Sequence, residues 1–214
     1  MAASIIDLRK LLAERFPQTS TTAEGRLPTG VSTLDDVIGG GLPKSAITEL
    51  SSPNVSAGSA LLTHALLQNA HRAAFFVALV DGRDSFDPQT APAPVLRHLL
   101  WVRCTAAAEA IRGADFLLRD GNFPLVILDL VLNPAQELRQ IPQTNWYRLQ
   151  RLVEVAPTAF LVLTRQSIIS SAQLKLSLQN RWRLSDLEGT GRANRLSVRV
   201  NRVQGGREII ARAS

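Results

Sequence analysis

The stretch Ala46–Ala65 carries residues of the types, and nearly the spacing, that grip a phosphate chain. Ile47 and Leu50 run as an apolar strand into a small-residue turn, Ser51-Ser-Pro-Asn-Val-Ser-Ala-Gly-Ser59, and Leu61, Leu62, Ala65 and Leu66 then recur at helical spacing. A working phosphate loop reads G-x-x-x-x-G-K-[ST]: its glycines let the backbone cradle the anion, its lysine reaches the terminal phosphates, and its hydroxyl holds magnesium. In that register Ser52 stands at the first glycine, Ala57 at the second, Gly58 at the lysine and Ser59 at the hydroxyl, with Asn54 and Ser56 between. The scaffold is present and the cation is missing. A second element of such a site is Leu125-Val-Ile-Leu-Asp129, four apolar residues ending in a carboxylate. In phosphoryl transfer this aspartate serves the magnesium ion. Without the lysine, Asp129 reads as a relic or as a cap on the following loop.

No other constellation carries chemistry. His64, His71 and His98 are the histidines, without metal-ligand spacing, and they read as surface or core filler. Cys104 lies in an apolar run and reads as a buried small hydrophobe in a reducing compartment. No metal or cofactor is implied.

The segment upstream of the loop makes the likeness specific. Leu27-Pro-Thr-Gly-Val-Ser-Thr-Leu-Asp-Asp-Val-Ile-Gly-Gly-Gly-Leu-Pro-Lys-Ser-Ala-Ile-Thr-Glu-Leu50 resembles the entry to the ATPase core of the RecA/RadA/KaiC superfamily, T-G-x-x-x-L-D-x-x-x-G-G-G-[LI]-P-x-G, at Thr29-Gly30, Leu34-Asp35, Gly39-Gly40-Gly41 and Leu42-Pro43. Asp81-Gly-Arg-Asp-Ser-Phe-Asp-Pro88 resembles that superfamily's D-A-E-x-x-L-D-P, whose glutamate activates the attacking water. Arg83 stands at the glutamate, and a guanidinium cannot take a proton from water. Asp84 next door could be proposed as a substitute base, but one residue along a loop end usually points a side chain elsewhere. The resemblance implies an α/β fold: a RecA-like core with a mostly parallel central sheet flanked by helices and an antiparallel C-terminal extension. Size, degenerate loop and the Leu-Pro-Thr-Gly start resemble the ImuA group and its relative SulA over roughly residues 27–213.

Composition agrees with a folded, non-membrane chain. The 214 residues are 45% hydrophobic and 20% charged, and no apolar run approaches the roughly 20 residues of a membrane span. The N-terminus lacks the short apolar core and cleavage site of a signal peptide, so a cytoplasmic location is expected. Basic and acidic residues balance at fifteen each through residue 174; from Lys175 onward they stand at nine to three. That excess suits phosphate or carboxylate recognition, because the guanidinium fork binds both bidentately. A solvated strand face, an acidic partner protein and nucleic acid all remain open for it. Apart from Trp182, no aromatics interleave with the arginines to act as stacking platforms.

Along the chain, residues 1–24 read as an amphipathic helix and linker. Ile5, Leu8, Leu12 and Phe16 form a stripe that can dock on the chain's own core, on a neighbouring subunit or on a foreign partner. Residues 25–214 read as one core domain. Helices are expected at 32–38 (capped by Ser32), 57–71, 92–98, 105–119 (capped by Thr105, with Ala108, Ile111, Phe116 and Leu117 apolar), 143–155 and 167–178. Strands are expected at 46–50, 73–80, 99–103, 125–129, 159–164, 181–185, 195–203 and 208–212. Outward arginines gather at Arg181, Arg183, Arg195, Arg199 and Arg202. The path from Asp129 to Thr164 is shorter than in RecA. Almost no loop separates Thr164 from the helix after it, so recombinase-style DNA gripping is not expected.

The resemblance to ImuA-type proteins implies an adaptor or regulator, not an enzyme, in the SOS response and mutagenic translesion synthesis. Its implied partners are an ImuB-type Y-family polymerase homologue, RecA and a replicative-type error-prone polymerase, with weak or no direct DNA binding. A SulA-like inhibitor of cell division that binds a tubulin-like protein and an ATP-dependent recombinase are the alternatives.

Overall fold

The computed structural model describes residues 25–54, 57–182 and 192–203. The expected helix with Ile5, Leu8, Leu12 and Phe16 lies outside them, as do Ser56, Arg183 and the expected strand at 208–212.

The elements in chain order are β1 (Arg26–Leu27), α1 (Ser32–Ile38), β2 (Leu42–Pro43), β3 (Ala46–Ser51), α2 (Ser59–Arg72), β4 (Val77–Asp81), α3 (Ala93–Leu96), β5 (Leu99–Arg103), α4 (Ala107–Asp120), β6 (Leu125–Asp129), α5 (Ala135–Arg139), α6 (Gln143–Glu154), β7 (Ala159–Thr164), β8 (Leu174–Leu178) and β9 (Val198–Val203). Seven strands form one sheet in the order β5-β4-β6-β7-β3-β8-β9. Every pairing is parallel except the last, β8 with β9. The sheet is the α/β arrangement expected, with its antiparallel extension at the end.

Strands β6 and β7, buried on both faces, read as nearly unbroken apolar runs, β3 carries the buried Thr48 and Glu49 among its apolar residues, and each central strand alternates between two cores. Leu50, Leu79, Ile127 and Leu161 face the core shared with α1 and α2. Ile47, Val80, Leu128 and Val162 face α4 and α6, where Trp146 and Leu149 fill the space. At about 25 cal/mol per Å² of apolar surface, such burial dominates the folding free energy.

The upstream signature turns out to be a clasp. Asp35 accepts hydrogen bonds from the Thr29 N–H (2.9 Å), the Thr29 hydroxyl (2.8 Å) and the Gly30 N–H (3.2 Å). Leu34 is buried beneath it. Gly41 has φ +141°, and a Cβ there would stand 2.3 Å from the Leu27 carbonyl oxygen, so only glycine lets β1 and β2 approach. Val31, not Ser32, is the N-cap of α1, because Asp35 ties down the entry instead.

Several other expectations need correction. The strand at 73–80 begins at Val77, since α2 runs to Arg72 and Ala74, at φ +54°, turns the chain. Helix α4 starts at Ala107, with Ala106 as N-cap. The Thr105 hydroxyl is held by Glu109, and the first helical N–H, that of Ala107, donates to Glu137 at 2.6 Å. Of the apolar positions expected there, Ile111 and Leu117 are buried, while Ala108 and Phe116 face solvent. Helix α5 had no prior expectation.

The main error is the helix at 167–178. Residues 174–178 are strand β8, parallel to β3. Leu174, Leu176 and Leu178 enter the α2-side core at period two, and the pairing with β3 outweighs any helical reading of the run. The chain reaches β8 by an irregular crossover, 165–173, passing over β3 on the α6 side, with Ile169 and Ala172 buried. Glu49, 1% exposed, anchors it: its carboxylate accepts from the Ser167 hydroxyl (2.7 Å), the Ile168 N–H (2.6 Å) and the Ile169 N–H (3.0 Å), and Lys175 pairs with it at 3.2 Å. Near the chain end, Arg181 and Trp182 lie in irregular backbone before residues outside the description. Residues 183–185 of the strand expected at 181–185 lie outside the described residues, and the strand paired with β9 is 174–178. β9 itself starts at Val198, because Arg192–Arg195 form a 3-10 turn.

Candidate functional site

The loop 52–58 follows β3 at the carboxyl edge of the sheet, where parallel α/β sheets place their ligands. Its residues divide into two groups. Ser52 is buried and turned into the loop's own bonding: its N–H donates to the Thr164 carbonyl (2.7 Å) and its hydroxyl to the Asn54 carbonyl (3.1 Å). The Ala57 N–H donates to the same Asn54 carbonyl at 3.0 Å, leaving the Asn54 side chain exposed. Ser59 opens α2 and, with Asp129, lines a cavity of about 260 Å³. Ser56 lies outside the described residues.

Gly58 is the N-cap of α2, with φ +106°. A Cβ built on it would lie 2.6 Å from Leu196 Cδ2 and 3.2 Å from Trp182 Nε1. The space into which a lysine would project is therefore filled by the chain's own C-terminal segment. Leu196 is itself 2% exposed and packed in the α2-side core. Sequence reasoning missed this lid: Leu196 is far from Gly58 along the chain, and no local pattern links them.

The cavity beside Ser59 and Asp129 is also walled by Thr63, His64, Phe86, Asp87 and Thr90, and no lysine or arginine lines it among the described residues. Those side chains carried no sequence signal, because the 85–90 segment folds back over α2 only in three dimensions. His64 Nε2 sits 2.8 Å from Thr90 Oγ1, and its ring lies 5.6 Å from that of Phe86. Burial lowers the His64 pKa, against the partial opposition of Asp87. Asp129 caps the next turn, its Oδ1 accepting from the Val131 N–H at 3.0 Å. Desolvation raises its pKa to about 6, the Val131 bond works against the rise, and the charge of Asp81 adds to it.

At the expected position of the catalytic base, Arg83 donates from Nη1 to the Thr105 carbonyl at 2.7 Å. Asp84, at φ +52°, makes two 2.6 Å bonds to the Arg103 guanidinium, which lower its pKa. A carboxylate held in that way is a poor proton acceptor. Asp81 is spent on structure, accepting from the N–H groups of Ser85 and Phe86, each at 2.7 Å. Cys104 is 5% exposed, and burial raises its thiol pKa, as suits an inert core residue. Among the described residues no group of three or more His, Cys, Asp or Glu could hold a metal, and no helix is long and apolar enough to cross a membrane.

The arginine face is narrower than expected. A bulge between Lys175 and Leu176 shifts the β8–β9 register, so Arg202 lies opposite Lys175 and Arg199 opposite Ser177. Strict alternation would have sent Arg202 to the other face. Arg199 and Arg202 thus share one face with Lys175, and Arg202 donates to the Ser170 carbonyl at 3.3 Å. Arg195 is exposed on the 3-10 turn and Arg181 in irregular backbone, apart from that face, while Arg183 lies outside the described residues.

No protein-family model matches the chain. Over 117 residues, 52% of its length, it is 35% identical to protein RecA of Clavibacter michiganensis subsp. michiganensis. Over the same length it is 34% identical to protein RecA of Leifsonia xyli subsp. xyli and to that of Acidothermus cellulolyticus. The matched stretch covers 32% of the first two relatives and 34% of the third, so the chain spans about a third of the length of the curated relatives it matches. That similarity, over half of the chain, supports a RecA-like superfamily relationship, and the seven-stranded, mostly parallel α/β sheet is consistent with a RecA-like core.

Proposed function

We propose that this chain is a RecA-shaped docking protein without ATPase chemistry, acting as an adaptor or regulator in the SOS response and supporting mutagenic translesion synthesis through protein contacts. The observation that carries the first half is the lid over Gly58. The residue in register with the phosphate-loop lysine has no side chain, and the place such a side chain would take is filled by Leu196 and Trp182. Arg83 at the base position and the bonding of Asp84 to Arg103 point the same way. Magnesium–triphosphate stabilisation needs a cation at the phosphates, and the cavity beside Ser59 offers none among the described residues. The second half draws on the resemblance to the ImuA group. The partners proposed are an ImuB-type polymerase homologue, RecA and a replicative-type error-prone polymerase.

Calorimetric titration with ATP and magnesium, alongside a turnover assay, tests the first half. No heat and no hydrolysis are expected. Hydrolysis that disappears in Asp129→Ala would overturn it. The second half is tested by binding the purified chain to purified RecA and to the Y-family homologue. Association with a tubulin-like division protein instead would favour the SulA-like alternative.

A further inference from the structure

A second opening at the carboxyl edge of the sheet neighbours the cavity beside Ser59, sharing Leu132 with it, and Pro53 of the loop after β3 lines it. It is a cleft of about 570 Å³ between the segment after β6 and the segment after β7. Its lining is mostly apolar, with Leu132 (49% exposed), Leu138, Ile168 and Pro134, and Asn133, Gln166 and Ser167 add polar groups. One guanidinium stands on each side, Arg139 at the end of α5 and Arg165 just after β7. Both are exposed, and neither makes a hydrogen bond or ion pair with another described residue. The nearby carboxylates are committed elsewhere: Glu137 accepts from the Ala107 N–H and the Asn133 amide, and Glu49 is buried under the crossover with Lys175.

Two guanidinium groups with no partner among the described residues, across a mostly apolar lining, call for an anionic occupant that also carries aliphatic surface. A guanidinium holds a carboxylate bidentately, and an exposed leucine beside it gains by being covered. A nucleic-acid strand fits less well, because among the described residues no aromatic ring lines the cleft to stack a base and two cations face it.

We propose that this cleft seats a short acidic segment of a partner polypeptide, its carboxylates paired with Arg139 and Arg165 and an aliphatic side chain laid against Leu132 and Ile168. The proposal rests on the docking reading above only in requiring a partner. It gives that partner a chemistry, acidic and aliphatic, and a place on the fold.

The test is fluorescence anisotropy on the full chain with a labelled peptide of about a dozen residues, glutamates around two leucines. Three control probes accompany it: the same peptide with lysine for glutamate, the same with serine for leucine, and an oligo-dT strand. Binding of the acidic leucine peptide is expected, weakened at least about tenfold in Arg139→Glu/Arg165→Glu and similarly in Leu132→Asp. Arg151→Glu, on the exposed side of α6, is expected to leave it unchanged. The three cleft residues are exposed, so circular dichroism and melting of the variants should match the parent. Any of four results overturns the proposal: no peptide binding, equal binding by the double charge reversal, equal binding of the serine peptide, or binding confined to the oligonucleotide. The nucleotide titration is read on the same protein without peptide, so the two readings can fail separately.

Discussion

Placing a side chain at position 58 tests the lid directly. Gly58→Ala adds one methyl group to a residue at φ +106°, where an L-residue is strained by about 1–3 kcal/mol. The methyl also arrives 2.6 Å from Leu196 Cδ2, inside contact distance. Leu196 is 2% exposed and cannot swing into solvent without leaving the core, so overpacking adds about 1–3 kcal/mol. The sum is about 2–6 kcal/mol, a large share of the stability of an ordinary domain. Gly58→Lys should cost at least as much and should not create triphosphate binding, because its stem meets the same wall. Equilibrium urea unfolding gives the two losses. A double-mutant cycle with Leu196→Ala separates backbone strain from the clash, since only the clash is relieved in the double variant, giving a coupling of about 1–3 kcal/mol. If Gly58→Ala costs less than about 1 kcal/mol, or if Gly58→Lys gains ATP binding without loss of stability, the lid is not packed as described and the argument against a phosphate site fails with it.

Asp129 gives a pH test. Its folded pKa of about 6 lies above the ordinary 3.8, so the folded chain holds this proton more tightly than the unfolded one. Its contribution is therefore most favourable below about pH 4 and is lost as pH rises through 6, at a cost approaching 3 kcal/mol above that window. Asp129→Asn, which keeps an acceptor for the Val131 N–H, should stabilise the protein at pH 7.5 by about 2–3 kcal/mol and remove this slope; a destabilised variant at that pH contradicts the assignment. Glu49→Ala strips three hydrogen-bond donors and Lys175 of their buried partner and should cost about 3–5 kcal/mol, with protease cleavage appearing within 165–173 before global unfolding. Asp35→Ala releases the Thr29 and Gly30 donors and should lower stability by about 1–3 kcal/mol in urea titration while leaving far-ultraviolet circular dichroism intact.

The parallel strands were legible because burial on both faces leaves nothing but apolar residues, as in Leu125–Leu128 and Ala159–Leu163. The 167–178 segment was not. Ile168, Leu174 and Leu178 fit a helical stripe as well as Leu174, Leu176 and Leu178 fit a strand, and only the vacant edge of β3 decides between them. The signature around Thr29 and Asp35 could be recognised as a resemblance, but its physical content, a carboxylate binding three donors, emerged only with coordinates. For the loop, the sequence reading placed Gly58 in register with a phosphate-loop lysine. It could not disclose that Leu196 and Trp182 occupy the vacated space, since that contact joins distant parts of the chain. The exposed Phe116 and the wall formed by Phe86 and Thr90 were hidden for the same reason.

Glu49 has a mechanical consequence. One carboxylate grips the crossover at Ser167, Ile168 and Ile169 and also Lys175 at the start of the sheet's outer pair of strands. Ile168 borders the cleft, and Arg202 on β9 reaches back to Ser170 of the same crossover. The wall of the cleft at Ile168 and the basic edge of the sheet at Lys175 and Arg202 are thus fastened to one crossover, so a variant that loosens Glu49 is expected to reach both.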